Sequence, residues 1–341
     1  MDKIKWALFL TLFPFLLMQT AAASTGQNPL LVDNDLYVSY NGVHKFNQST
    51  LEQQWSSLQG IQTFEPVMGE RLLYVGSPQG LYALDPDNGE IAWRIEKTRT
   101  IFSPVVSDNL YAGSLHGALY SIDPAKGIIN WRQQFDGWIY SPAVLRDQGL
   151  LWTGGQAHQA FAVAIDDGRQ LHTVAIAQES IFSPQNIGRQ QVAFNLFNGS
   201  TAIINSKTAS IDGYLEGATQ PKNLDFDEKL IYRSGRDGGL TAFDRSSYQQ
   251  EWNKSLVTQE LTMHPGNEGY LLMSDLDKTL ILFNRQKGIE IWRDQLNGTW
   301  FSPIQVDEKS IIYFQPSILQ PNQISAVKID AQPPNLLGEY K

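Results

Sequence analysis

The side chains best suited to proton transfer or metal binding at neutral pH are five histidines: His44, His116, His158, His172 and His264. They fall in separate segments with no metal-ligand spacing. Each reads as local structure, His116 within a Leu-His-Gly turn. The chain has no cysteine, which removes thiolate chemistry, cysteine-ligated zinc and c-type haem attachment. Ser103, Ser141, Ser183 and Ser302 each precede a proline at a regular interval, so they too read as structural. A Ser-His-Asp triad stays open because geometry sets triads, but no nucleophile-elbow motif supports one. Gly235-Arg236-Asp237-Gly238-Gly239 looks like a phosphate loop, yet no helix follows to offer an anion-binding N-terminus.

What recurs is architecture. Leu81-Tyr82-Ala83-Leu84-Asp85-Pro86-Asp87-Asn88-Gly89-Glu90-Ile91-Ala92-Trp93 reads as strand, turn, strand. Proline presets φ, aspartate bonds the turn backbone, and glycine takes a positive φ. The pattern returns at Leu119 to Trp131, and again at Leu282 to Trp292 around Gly288. In each copy Asp or Asn stands eight residues before Trp, as Asn47 does before Trp55 and Asp244 before Trp252. Pro29, Pro66, Pro104, Pro142, Pro184, Pro265 and Pro303 mark unit starts, and the proline is missing near Leu224. The mean period is about 39 residues. Each unit carries about four short strands and no helical periodicity. The expected fold is all-β: an eight-bladed β-propeller of four-stranded antiparallel blades, whose closure leaves short edges. Copies four, five and eight are degenerate, with His172 at one tryptophan position and Gly213 at another.

Hydrophobic residues make up 42% of the 341 and aromatics 11%, enough for a large core. A net charge of -9 argues against non-specific nucleic-acid binding. Lys3 and Lys5, the apolar run Trp6 to Met18 and Ala21-Ala22-Ala23 read as a secretory signal peptide over residues 1–23. A membrane anchor through the same stretch is the alternative. A single propeller domain is then expected over 24–341, with no transmembrane segment in the mature chain and, without cysteine, no lipid anchor.

Ala-Leu-Asp-x-x-x-Gly-x-x-x-Trp at this period resembles the PQQ-type propeller repeat. That family includes quinoprotein alcohol dehydrogenases and the BamB-like propellers of outer-membrane barrel assembly. The resemblance to the BamB-like branch implies an exported, periplasmic, non-enzymatic protein that binds periplasmic or outer-membrane proteins and holds no cofactor. The dehydrogenase branch implies the alternative, a PQQ- or small-molecule-binding enzyme or redox accessory. Those enzymes commonly carry an adjacent Cys-Cys pair, which is absent here, and Asp85, Asp123 and Asp244 already serve as turn caps.

Surface residues remain. Phe64, Phe102, Tyr140, Phe182, Met263 and Phe301 stand two before the marker proline, lining a channel or packing between blades. Trp138 and Trp300 are extra to the repeat, and exposed aromatics are enriched at interfaces. The expected partner-binding residues are Trp138, Tyr140, Trp300, Phe301, Arg233, Arg236 and Asp237.

Overall fold

The computed structural model describes residues 29–39, 41–95, 100–217, 221–257, 261–264, 270–275, 279–295, 305–306, 311–314 and 325–328. The expected signal peptide lies outside them. Every described element but one 3-10 turn at Arg146–Gln148 is a strand. The strands form antiparallel meanders in chain order: blades one to seven span residues 30–57, 67–95, 105–134, 143–175, 185–215, 221–255 and 261–295.

The expected count of eight four-stranded blades is corrected to seven. The last sheet has three described strands, Gln305–Val306, Ile311–Phe314 and Ser325–Lys328. A physical reason lies in the eighth repeat. Pro333 and Pro334 fall around the position where other repeats turn with positive φ and start a fourth strand. Proline can neither take that φ nor donate to a ladder.

The turn between third and fourth strands has one backbone conformation in all seven blades. The residue four after the first turn residue, which is Asp or Asn in six blades and Ala164 in blade four, has positive φ, from 53° at Ala209 to 77° at Gly89. Its N–H donates to the carbonyl of the first turn residue at 2.8 to 3.1 Å, and the ladder shifts register beside it. That is a bulge adding one residue. Side chains cap it as the sequence suggests. Asp123 Oδ1 accepts the N–H groups of Ala125 and Lys126, each at 2.9 Å. The Ser246 hydroxyl and the Ser247 N–H hold the Asp244 carboxyl down to about 2.

Inner strands such as Gly80–Leu84 are buried along their whole length, whereas the outer strand Ile91–Ile95 is largely exposed. Both faces of an inner strand are covered because the cores lie between consecutive blades. The core of blades two and three, for example, joins Tyr74, Leu81 and Ala83 to Leu110, Ala112 and Tyr120.

The repeated tryptophan locks each such junction. Indole Nε1 of Trp55, Trp93 and Trp131 donates to the carbonyls of Pro86, Pro124 and Ile165 in the next blade's turn, at 3.0, 2.9 and 2.9 Å. Each ring lies on that turn's glycine: a Cβ on Gly89, Gly127 or Gly168 would come within 2.5 to 2.7 Å of it. The turn glycine thus serves positive φ and ring packing together. Behind each ring stands a tyrosine of its own blade, as Tyr74 does behind Trp93 at 5.8 Å.

Degenerate copies four and five each keep an aromatic at the junction but relocate it. In blade four His172 is exposed, and Trp152, two strands inward on the same cross-strand row, is fully buried against Phe194 of blade five at 6.4 Å. Between blades five and six the pair is reversed. Gly213 occupies the tryptophan position, and Tyr248, at the turn-glycine position with φ of 60°, covers it. Gln191 Nε2 donates to the Tyr248 hydroxyl at 2.6 Å.

Trp93→Ala should cost about 3–5 kcal/mol in equilibrium unfolding; wild-type stability would remove the wedge from the account. For the reversed pair, Gly213→Trp and Tyr248→Gly should each destabilise. The double variant should be more stable than additivity allows, by about 0.5–3 kcal/mol in a double-mutant cycle.

Candidate functional site

Linkers between blades and the turns joining second to third strands share one end of the sheets, as an antiparallel meander requires. The linkers into blades three, four and five are stitched to both of the blades they join. Ile101 N–H donates to the Ser77 carbonyl of blade two at 3.1 Å, and Phe102 N–H to the Gly113 carbonyl of blade three at 3.0 Å. Ile139 and Tyr140 repeat this with Ser114 and Gly154, both at 3.0 Å. Gly76 and Gly113 stand at matching positions near the ends of the second strands, and their reason is this crossing. A Cβ there would stand 2.6 and 2.3 Å from a linker carbonyl.

The expected contact residues sort as follows. Trp138 and Tyr140 are half-buried in the linker into blade four. Tyr140 ends a row of rings running from blade to blade: Phe64 to Phe102 at 5.9 Å, and Phe102 to Tyr140 at 5.2 Å. Packing between blades and display at the linker end are thus combined. Arg236 and Asp237 lie in the blade-six turn at the same end, Asp237 exposed. Its Oδ1 accepts the Gly239 N–H at 3.1 Å, which gives the Gly-rich segment an ordinary turn. Trp300 and Phe301 lie outside the described residues.

Arg233 differs from expectation. It is 5% exposed, over the Phe243 ring at 4.8 Å, and donates to the carbonyls of Leu215 and Glu216 at 2.7 and 2.8 Å. It straps blade six to the end of blade five. Burial draws its pKa down to about 10, opposed by Glu216 and Asp237.

Sequence reading missed Glu179, in the linker leaving blade four. Its backbone carbonyl accepts the Phe197 N–H at 3.1 Å, and the next residue, Ser180, donates to the Gly155 carbonyl at 3.0 Å. Trp138 reaches the same turn from the other side, its carbonyl accepting the Gln156 N–H at 3.2 Å. Trp138 and Glu179 therefore flank the Gly155–His158 turn. Glu179 is half-buried, and among the described residues no hydrogen bond or ion pair reaches its carboxylate. Burial pushes its pKa up, with His158 opposing. Burial, then Glu179, raises the Tyr140 phenol. The Trp138 side chain, buried at Nε1, opposes that shift. One signal was available: Ser77 and Ser114 follow Gly76 and Gly113 in blades two and three, where blade four has Gly155 after Gly154. A Cβ at Gly155 would stand 1.8 Å from the Trp138 carbonyl.

A family model described as "Outer membrane protein assembly factor BamB" matches residues 16–100 and 77–213, more than half of the chain. The chain belongs to the BamB family. Its fold is similar to the crystal structure of BamB from Moraxella catarrhalis, with a TM-score of 0.70 and 16% identity over 88% of this chain and 95% of that one. It is also similar to the computationally designed Ika8 protein, with a TM-score of 0.76 and 11% identity over 90% and 97%. No curated protein matches the chain. For this BamB-family chain, the described residues contain no group of three or more His, Asp or Glu placed to hold a metal ion. They contain no helix long and apolar enough to cross a membrane.

The raised Glu179 pKa has a definite sign. Protonation favours the folded state, so that stabilisation is full below the unfolded value and is lost as pH rises through the folded one. Glu179→Gln should therefore melt above wild type at pH 7, with the gap closing below the ordinary value of 4.5. Thermal melts across this range check it; a lower melting temperature at pH 7 contradicts it.

Proposed function

We propose that this BamB-family propeller is exported to the periplasm. There it acts as a non-enzymatic scaffold that binds other proteins, in the assembly of outer-membrane or envelope proteins. The family match over residues 16–213 carries the reading. The signal-like residues 1–23 support export. The blades support docking: stitched linkers and locked junctions make a rigid frame that holds the linker-end loops in fixed positions. A partner laying a strand or loop across that end meets preformed backbone and half-buried rings, which lowers the ordering cost of binding. Tyr140 and Trp138 are the anchors this reading favours, because rigid aromatics dominate interface energetics.

In vivo crosslinking in the native cell, then purification of the chain and mass spectrometry, tests the proposal. Recovery of barrel-assembly components is the expected result. Recovery of a different envelope machine keeps the scaffold and replaces the pathway. A chain that crosslinks to no protein, or that is found unprocessed in the cytoplasm, overturns the reading.

A further inference from the structure

We propose that Trp138, Tyr140 and Glu179 form a receptacle for a lysine or arginine side chain of a partner protein. The proposal rests on the scaffold reading and adds the chemistry of what docks. Glu179 is a half-buried carboxylate with no hydrogen bond or ion pair among the described residues. Burying a charge without a partner is unfavourable, and a cation is the group that relieves it. Two half-buried aromatic residues accompany it: Tyr140, whose phenol feels the Glu179 charge, and Trp138, across the same turn. Ring faces attract cations, tryptophan most strongly, and guanidinium stacks on them as well.

The site sits on the frame. The linker bearing Trp138 is fixed to the blade-four turn by the Ile139–Gly155 bridge and by the Gln156 N–H donating to the Trp138 carbonyl, and a Cβ at Gly155 would stand 1.8 Å from that carbonyl. The surrounding charge has the right sign. Among the described linkers and second-to-third turns, Glu65, Asp136, Glu179, Glu216 and Asp237 stand against Arg236, with Arg233 buried in the strand before it. A negative rim draws a basic segment in and disfavours an acidic one.

The test is an NMR titration of the full mature chain, following its tryptophan indole signals, with the Trp138 signal assigned by its loss in Trp138→Phe. The probes are acetyl-Gly-Arg-Gly-amide and the same peptide with neutral citrulline in place of arginine. The expected result is a saturable shift of the Trp138 signal with the arginine peptide and none with citrulline. Glu179→Gln should weaken the arginine response at least about tenfold while staying folded. Equal responses to both peptides overturn the proposal. So does an unshifted Trp138 signal at up to about 10 mM peptide, the range for so small a ligand, or an unchanged Glu179→Gln. Crosslinked partners that persist in such a case would sink the receptacle alone; their absence would remove the scaffold reading with it.

Discussion

An indole laid on a glycine of the neighbouring blade is the contact on which the rest depends. A four-stranded meander has two apolar faces and cannot bury either by itself, so stability resides in the junctions. At each of the first three, ring packing, an indole-to-carbonyl hydrogen bond and a backing tyrosine act on one spot. Ring and turn are mutually restrictive: the ring needs a flat partner, and the bulged turn needs positive φ. Glycine at one position meets both demands, which ties two residues of adjacent repeats into one unit of recognition.

At the opposite end of the sheets, the linkers solve a different problem. Their backbone must cross from one blade to the next without leaving N–H groups unpaired. Consecutive residues bond backwards and then forwards, with Ile101 and Ile139 fully buried beneath. Where the linkers leave blades two and three, Gly76 and Gly113 leave space for the crossing. Trp138 and Glu179 exploit the same crossing at blade four, where a second glycine, Gly155, opens it further. The candidate site is thus a local elaboration of the frame.

Much of this was legible in the residues. The Asp-to-Trp spacing, the marker prolines and the apolar runs between them announce a β-propeller of four-stranded units, because they are local signals repeated in register. The blade count was misread, since the marker proline Pro303 recurs in the eighth repeat although its turn chemistry does not. Lost tryptophans at His172 and Gly213 looked like decay because their substitutes, Trp152 and Tyr248, stand elsewhere in the sequence and meet the junction only after folding. Arg233 looked like a contact residue because a charge in a strand end suggests solvent, whereas three-dimensional proximity gives it the carbonyls of blade five. Glu179 is unremarkable in sequence; only its missing partner singles it out.

The reversal at Gly213 and Tyr248 makes blades five and six unequal to the rest. Blade six sends an aromatic both ways, Tyr248 onto blade five and Trp252 onto Gly288 of blade seven. Blade five sends neither and receives on both sides, from Trp152 through Phe194 and from Tyr248. Copying blade six or deleting blade five would bring two rings face to face, deleting blade six would bring Gly213 against Gly288, and copying blade five would set Gly213 against Ala209. Tandem duplication, the usual way such arrays lengthen and shorten, is therefore barred at this joint unless the two repeats travel as an inseparable pair.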